Sequence, residues 1–398
     1  MLQGRRIVLG VCGSIASYKA ADLASKLTQA GADVDVILTD AAQQFVSSLT
    51  FRSLTLRDVF TNMFDPNSPV AEQHVELARA ADAVLVAPAS ATTIARIAHG
   101  LADDMLALTV MATTAPVIVA PAMDGQMWAH AATRANVETL RKRGVVFVGP
   151  EQGRLASGRS GHGRLVDTDT LLGALRQTLG RRGDLAGRKI VVSAGGTHEP
   201  IDPVRFVGNR SSGKMGFAIA EAARDRGADV TLVSGPVTLA TPYGVRRIDV
   251  TTTADMQAAM RQATADCQAL IMAAAPADFR PANPADQKIK RTAEGIAVDL
   301  VPNEDIVAGL HGDFIKVGFA AETQDILQNA QLKIAKKGLD LIAANDVTAA
   351  DAGFSADTNR VSLIDADGKV ESLPLLSKYD VGNRILDRVV GLLHARNL

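Results

Sequence analysis

The chain reads as an α/β protein of two doubly wound, Rossmann-like units, because it begins twice. Leu2, Gly4, Arg5, Ile7, Val8 and Gly13 are answered by Leu185, Gly187, Arg188, Ile190, Val191 and Gly196. One helix later, Gly31-Ala32-Asp33-Val34 is answered by Gly227-Ala228-Asp229-Val230. A buried strand, a glycine turn, a helix and a second strand are thus written out twice, the signature of repeated α/β units. Length agrees, since 398 residues suit two domains at about 100 to 200 residues each. The polar stretch Arg181-Arg182-Gly183-Asp184, after an apolar helical run, places the boundary and predicts domains at 1–182 and 183–398.

Composition narrows the partners. A formal net charge of −1 and a pI near 6.7 provide no global field for gathering nucleic acid, so small ligands are expected. Two cysteines, Cys12 and Cys267, make neither a disulfide framework nor a CxxC zinc site, which suits a reducing compartment. Arg5-Arg6 before an apolar run resembles the start of a secretion signal. The run is short, however, and leads into an amphipathic stretch at 19–27 rather than a cleavage site. No window reaches the ~20 apolar residues of a membrane span. A cytoplasmic protein without membrane contact is expected.

In the first half, residues 7–11 form a short apolar strand closed by Cys12-Gly13-Ser14-Ile15, and a helix over 16–30 stops at Gly31. A glycine turn between a parallel strand and a helix leaves backbone N–H groups free at the helix start, where a phosphate can bind. The next strand, 34–38, ends at Thr39-Asp40, on the edge where open α/β sheets hold ligands. A third strand over 84–86 runs into Ala87-Pro88-Ala89-Ser90-Ala91-Thr92-Thr93, whose hydroxyls can cap a helix at 93–99 or bond a polar ring edge. The fourth, 117–120, ends in Pro121-Ala122-Met123-Asp124-Gly125-Gln126-Met127-Trp128, where core filling by Met and Trp competes with a ligand contact.

In the second half, a strand at 190–193 with the turn Ala194-Gly195-Gly196-Thr197 is followed by a long loop, 199–216, before a helix over 216–226. Loops of that length in compact domains tend to bind. Gly213-Lys214 resembles the end of a Walker A motif, but the first glycine is wrongly spaced, so a P-loop is rejected. Residues 271–279 are another strand end with a proline turn, and Lys288-Ile289-Lys290 puts two lysines on one side of an extended segment. A helix over 323–337, ended by Gly338, places Lys333 and Lys337 on one face. Lysines at separate sites in one half suit a triphosphate.

The first-half blocks resemble the flavin-dependent cysteine decarboxylases. The resemblance rests on Gly13-Ser14-Ile15-Ala16 with Tyr18-Lys19, the Ser90-Ala91-Thr92-Thr93 loop, His74 within residues 72–77, and the 121–128 block. It implies a flavodoxin-like flavoprotein fold, FMN held by Gly13, Ser14, Ile15, Thr39 and the 90–93 loop, and His74 as the base. Met123, Asp124 and Ser157 would meet the substrate. An imidazole can take a proton near neutral pH. Two positions depart from the family. Asp124 stands where Asn is usual, so it must be protonated, turned away, or bonded to another group beside a substrate carboxylate. Ser157, in the glycine-rich stretch 156–164, stands where many relatives carry a proton-donating Cys.

The second-half blocks resemble phosphopantothenate-cysteine ligase. They are Asp202-Pro203-Val204-Arg205, residues 209–216, Ala274 to Asp278, Lys288-Ile289-Lys290, Asn303 to Val307, Gly318 to Glu322 and Ala344-Asn345-Asp346. The resemblance implies a Rossmann-like ligase fold in which Lys288 stabilises charge as an acyl-cytidylate forms and Asn209 holds that intermediate. Arg205 would meet the substrate. Met272, Ala273, Ala274, Asp278, Lys288, Glu304, Asp305, Ile306, Val307, Phe319, Lys333 and Lys337 would line a CTP pocket, with Mg²⁺ on the triphosphate and its protein ligands unassigned. Together the halves resemble the bifunctional family that makes 4'-phosphopantetheine from 4'-phosphopantothenate, cysteine and CTP. A homo-oligomer is implied, with decarboxylase trimers linked by ligase dimers, up to a dodecamer. Two other readings stay open: an NAD-dependent oxidoreductase, for which no GxGxxG is present, and a ligase fused to a non-catalytic flavin-binding domain.

Overall fold

The computed structural model describes residues 1–64, 72–291, 296–322, 326–346 and 356–398. The chain divides into two compact units, Met1–Leu179 and Gly180–Leu398.

The first unit runs β1 (Arg6–Val11), α1 (Ser17–Gln29), β2 (Asp33–Leu38), α2 (Asp40–Gln43), α3 (Ser48–Thr55), β3 (Val59–Phe60), α4 (Gln73–Ala80), β4 (Ala83–Ala89), α5 (Ala91–His99), α6 (Met105–Ala112), β5 (Val117–Pro121), α7 (Gly125–Ala129), α8 (Ala131–Lys142) and β6 (Val146–Phe147). A hairpin of β7 (Glu151–Arg154) and β8 (Ser160–Arg164) follows, then α9 (Thr168–Gly180). The six-stranded sheet has the order β3-β2-β1-β4-β5-β6, with every pairing parallel. Without the two-residue edge strand β3, this is the 2-1-3-4-5 arrangement of flavodoxin-like sheets. After its first residue, Arg6, β1 is apolar, and β4 is apolar throughout, because helices cover both faces of a parallel sheet. Alternate residues divide between the faces: Val8 and Cys12 join Ile37, Val84, Val86 and Val119 in one core cluster.

The second unit runs β9 (Lys189–Ala194), the short hairpin β10 (Glu199–Pro200) and β11 (Phe206–Val207), α10 (Lys214–Asp225), β12 (Asp229–Ser234), β13 (Arg246–Asp249), α11 (Thr253–Ala263) and β14 (Ala269–Met272). Then come β15 (Phe279–Pro281) paired antiparallel with β16 (Leu300–Pro302), β17 (Ile315–Glu322), α12 (Ile326–Lys337), β18 (Leu341–Asp346), β19 (Thr358–Asn359), β20 (Val361–Asp365), β21 (Val370–Ser372), β22 (Leu376–Ser377) and α13 (Lys378–Arg396). The sheet order is β13-β12-β9-β14-β17-β18-β20-β21, parallel as far as β18 and antiparallel beyond it. Its six parallel strands keep the Rossmann order 3-2-1-4-5-6. Ile190, Val192 and Ala194 enter the core on one face, and Val191 enters the core on the other.

The sequence echo is a structural repeat. Asp33 N–H donates to the Arg5 carbonyl and Asp229 N–H to the Arg188 carbonyl, each at 2.8 Å. Gly31 and Gly227 end α1 and α10 at φ 83° and 92°, a conformation that glycine adopts without penalty. The loop expected over 199–216 contains the β10–β11 hairpin, and α10 begins two residues earlier than expected, at Lys214. Residues 323–325 of the expected 323–337 helix lie outside the described residues.

Candidate functional site

Each sheet has one place where the chain turns outward in opposite directions from neighbouring strands, β1/β4 in the first unit and β9/β14 in the second. Ligands of doubly wound sheets bind at such points, beyond the carboxyl ends of the strands.

In the first unit, the turn after β1 and the turn after β4 meet there: Cys12 N–H donates to the Pro88 carbonyl at 3.2 Å. Ser90 caps α5, its Oγ accepting from Thr93 N–H at 3.2 Å and lying 3.1 Å from Thr93 Oγ1. Thr39 caps α2 in the same way, accepting from Ala42 N–H at 3.3 Å. Ser17 Oγ donates to the Cys12 and Ser14 carbonyls at 2.9 and 2.6 Å, fixing the turn into α1. Among the described residues, no acceptor receives the N–H groups of Gly13, Ser14, Ile15, Ala91 or Thr92. Two helix starts therefore present donors to one crevice, an arrangement that fits a phosphate or a polar ring edge. Gly13 is required for a different reason from ligand approach: a Cβ there would lie 2.4 Å from Ala41 Cβ. Ile15 is exposed and Ser14 half-buried. Burial pushes the Cys12 thiol up to about 11, which makes it a packing residue rather than a nucleophile.

His74 lies half-buried in the first turn of α4. Because α4 runs back to the amino end of β4, that turn stands at the carboxyl edge of the sheet, the edge that carries the 12–16 and 90–93 turns. Among the described residues His74 makes no side-chain hydrogen bond to either turn.

The 121–128 block and the glycine-rich hairpin pack together. Met123 N–H donates to the Gly163 carbonyl at 3.0 Å, and a Cβ on Gly163 would meet the Met123 carbonyl at 2.1 Å. Ser157 Oγ donates to Asp124 Oδ2 at 3.0 Å, while Asp124 Oδ1 accepts from Gln126 N–H at 3.0 Å. The Gln126 N–H and the Ser157 hydroxyl hold the Asp124 carboxyl below its ordinary range, with Arg159 adding to the effect. Of the three options for Asp124, the structure realises the bonded one. Met127 is exposed and Trp128 half-buried, so this block is only partly core.

In the second unit, a cavity of about 320 Å³ opens beyond the carboxyl ends of β14 and its neighbour β17. Ten of the twelve residues expected around a nucleotide line it: Met272, Ala274, Asp278, the run from Glu304 to Val307, Phe319, Lys333 and Lys337. Lys337 Nζ lies 3.0 Å from Asp305 Oδ2. Burial works against ionisation of Asp305, yet the Lys337 ammonium and the N–H groups of Ala308 and Val307 outweigh it and hold the carboxyl low. A second cavity of about 300 Å³ shares Ala274, Asp278 and Phe319 with the first and contains Asn209 and Ala273. Asn209 Nδ2 donates to the Pro276 carbonyl at 2.8 Å. Lys288 is exposed and lines neither cavity. Its neighbour Ile289 is anchored: Ile289 N–H donates to Asp202 Oδ2 at 3.1 Å, and Arg205 bonds both that carboxylate and the Ile289 carbonyl.

The profile described as "Flavoprotein" matches residues 1–180, and that described as "DNA/pantothenate metabolism flavoprotein C-terminal domain" matches 185–393. The coenzyme A biosynthesis bifunctional protein CoaBC of Bacillus subtilis (strain 168) is 44% identical over 398 residues, 98% of each chain. Its namesake in Vibrio cholerae is 43% identical, covering 97% of this chain and 98% of that one. The Escherichia coli (strain K12) protein is 44% identical, with 98% and 97% covered. The chain belongs to the CoaBC family.

Within this family member, Glu199, Thr197 and Thr253 build the second site from outside the motif blocks. Glu199, 2% exposed, accepts from the N–H and Oγ1 of Thr253, both at 2.8 Å. Thr253 Oγ1 lies 3.0 Å from Thr197 Oγ1, which accepts Ala277 N–H at 2.9 Å. Asn303 Nδ2 donates to the Ala277 carbonyl at 2.8 Å. This buried chain of polar groups fixes the turn after β14 that walls the larger cavity. Its one sequence signal was a glutamate soon after a strand-end glycine turn, too common to single out. Among the described residues no cluster of His, Cys, Asp and Glu forms a protein-only metal site, and no helix is long and apolar enough to cross a membrane.

Proposed function

We propose, for this bifunctional enzyme of coenzyme A biosynthesis, that residues 183–398 join cysteine to 4'-phosphopantothenate at the expense of CTP and that residues 1–182 decarboxylate the product to 4'-phosphopantetheine with FMN. In the ligation, the substrate carboxylate attacks the α-phosphorus of CTP and pyrophosphate leaves. The cysteine amine then attacks the acyl carbon, an amide forms and CMP leaves. The larger cavity takes the nucleotide, with Lys333 and Lys337 facing the triphosphate and Mg²⁺ entering with it to neutralise phosphate oxygens. The smaller cavity takes the acid. Asn209, in the smaller cavity next to the shared wall, holds the acyl-cytidylate. Lys288 brings its charge to the developing oxyanion from the segment that Asp202 and Arg205 anchor. The observation that supports the reading is the wall of Ala274, Asp278 and Phe319 common to the two cavities, across which a carboxylate in one would reach a nucleotide phosphate in the other.

In the first unit, the free N–H groups of residues 13–15 and of Ala91 and Thr92, with Ser90 and Thr93, fit the phosphate and ring of FMN. FMN held by these turns would supply a reversible two-electron oxidation at the thiol-bearing carbon of the substrate, the electron sink that loss of carbon dioxide requires. His74, at the same edge of the sheet, would take the thiol proton as that carbon is oxidised. Ser157 is engaged by Asp124 and so has a positioning part in the hairpin. The protein is expected in the cytoplasm as a homo-oligomer of decarboxylase trimers linked by ligase dimers. The test is product analysis of the purified protein with 4'-phosphopantothenate, cysteine and CTP. Phosphopantetheine, CMP, pyrophosphate and carbon dioxide are expected from a yellow protein. Absence of CTP consumption overturns the ligase reading, and ligation without carbon dioxide overturns the decarboxylase reading.

A further inference from the structure

The smaller cavity of the second unit is built for a ligand with two kinds of group. One end is made for an anion. Helix α10, twelve residues long, starts there at its cap Gly213, where the Gly213 and Lys214 N–H groups donate to Ser211 Oγ and Ser212 Oγ at 3.4 and 3.5 Å, so the hydroxyls and backbone of a helix start border the space. Two lysines line the same end. Lys214 Nζ is 2.7 Å from Asp357 Oδ1, and Lys378 Nζ donates to the Ala356 carbonyl. The other end is the wall shared with the larger cavity, at Ala274, Asp278 and Phe319.

The cavity also contains Asn345. This residue is the last but one of β18, between Ala321 of β17 and Val361 of β20, and it is 8% exposed. Among the described residues, its Oδ1 is the one buried side-chain oxygen or nitrogen without a hydrogen-bond partner. A buried acceptor left unmade is costly, and native proteins retain few of them. An acceptor can be met only by a donor, whereas the helix start and the lysines attract an anion. The ligand must therefore carry a hydroxyl or an amide N–H together with its negative charge.

We infer that Asn345 determines the specificity of the acid cavity, its Oδ1 accepting from the hydroxyl or the amide N–H that lies between the phosphate and the carboxylate of the substrate. This rests on the proposed placement of 4'-phosphopantothenate in that cavity. A site with a buried acceptor discriminates against analogues lacking the donor, because the acceptor then stays unpaired.

The experiment uses the full-length protein and Asn345→Leu, which keeps the shape and removes the acceptor. CTP-dependent pyrophosphate release is followed with three acids: 4'-phosphopantothenate, an analogue without the secondary hydroxyl, and an analogue with an ester in place of the amide. Wild type is expected to lose roughly 5- to 100-fold in kcat/KM on one analogue. Asn345→Leu should lose the same factor on the natural acid and nothing further on that analogue, with the KM for CTP unchanged. Because the lost acceptor has no partner among the described residues, the variant should melt no lower than wild type, the opposite of what a structural role predicts. Equal losses on all three acids, no loss on the natural acid, or a lowered melting point would each overturn the inference. Absence of pyrophosphate release by wild type on the natural acid instead refutes the ligase reading, and the inference falls with it.

Discussion

Thr253→Val tests whether the buried polar chain supports the nucleotide cavity. The substitution keeps the shape of the side chain and removes Oγ1, which donates to Glu199 at 2.8 Å, lies 3.0 Å from Thr197 Oγ1 and 3.3 Å from Asn303 Nδ2. Thr253 is 3% exposed and Glu199 2%, so no solvent replaces the lost donor. Leaving a buried oxygen short of a donor costs about 1–3 kcal/mol. Glu199 keeps its bond from Thr253 N–H at 2.8 Å, which argues for the middle of that range, about 2 kcal/mol. For a unit of this size that corresponds to roughly 4–8 °C in melting temperature. Thr253 also lines the larger cavity, so the KM for CTP should rise while decarboxylation of supplied 4'-phosphopantothenoylcysteine stays at the wild-type rate. The assays are calorimetry of the full-length protein and separate kinetics for the two reactions. A melting shift below about 1 °C with an unchanged KM for CTP would refute the argument that this chain of hydroxyls and amide groups holds the cavity.

Four further predictions follow from the two sites. His74→Asn should abolish carbon dioxide release with the FMN spectrum intact, whereas Ser157→Ala should keep most of the turnover; a product two mass units below 4'-phosphopantetheine in Ser157→Ala alone would show that Ser157 does supply the proton. Lys288→Gln should reduce acyl-cytidylate formation by about two orders of magnitude, the effect of ~3 kcal/mol at an oxyanion, while Asn209→Asp should act at the later attack by cysteine; wild-type cytidylate formation in both would sink the assignment. Lys337→Met should destabilise by about 0.2–1 kcal/mol at neutral pH, because Asp305, held below its ordinary pKa, contributes stability above the unfolded carboxylate range and loses it as pH falls through the folded value. Denaturant midpoints for the variant and wild type should therefore converge below about pH 4, and a constant gap across pH would contradict the pairing. A fragment starting at Gly180 should ligate cysteine without flavin, whereas one starting at Ala186 should be less stable, since Leu185 is fully buried and its N–H donates to the Arg226 carbonyl; equal melting curves for the two fragments would contradict this.

Much of the fold was legible because its signals are local. The doubled start, the apolar strands at 7–11 and 190–193, and the glycines at 31 and 227 each depend on near neighbours in the chain, and the structure repeats the same Asp-to-Arg backbone bond at both places. The strand-end motifs were legible for the same reason: a parallel sheet delivers every carboxyl end to one edge, so a motif after a strand is already at the site. The short β10–β11 hairpin and the antiparallel edge β20–β21 were not foreseen, because two- to five-residue strands have too little alternation to register.

The sequence by itself determined two α/β units, the strand ends that would carry chemistry and the residue types placed there. Only the tertiary structure decided which of those residues meet. Asp124 and Ser157, 33 positions apart, became one hydrogen bond because the β7–β8 hairpin docks on the turn after β5. Glu199 and Thr253, 54 positions apart, became the support of a cavity. Lys288 remained outside both cavities on an anchored segment, and Asn345, unremarkable within its motif, emerged with a buried oxygen that nothing in the chain satisfies among the described residues. Periodicity and turn chemistry are properties of a few consecutive residues, whereas a cavity wall is made by elements far apart in the chain and is fixed by how their side chains pack.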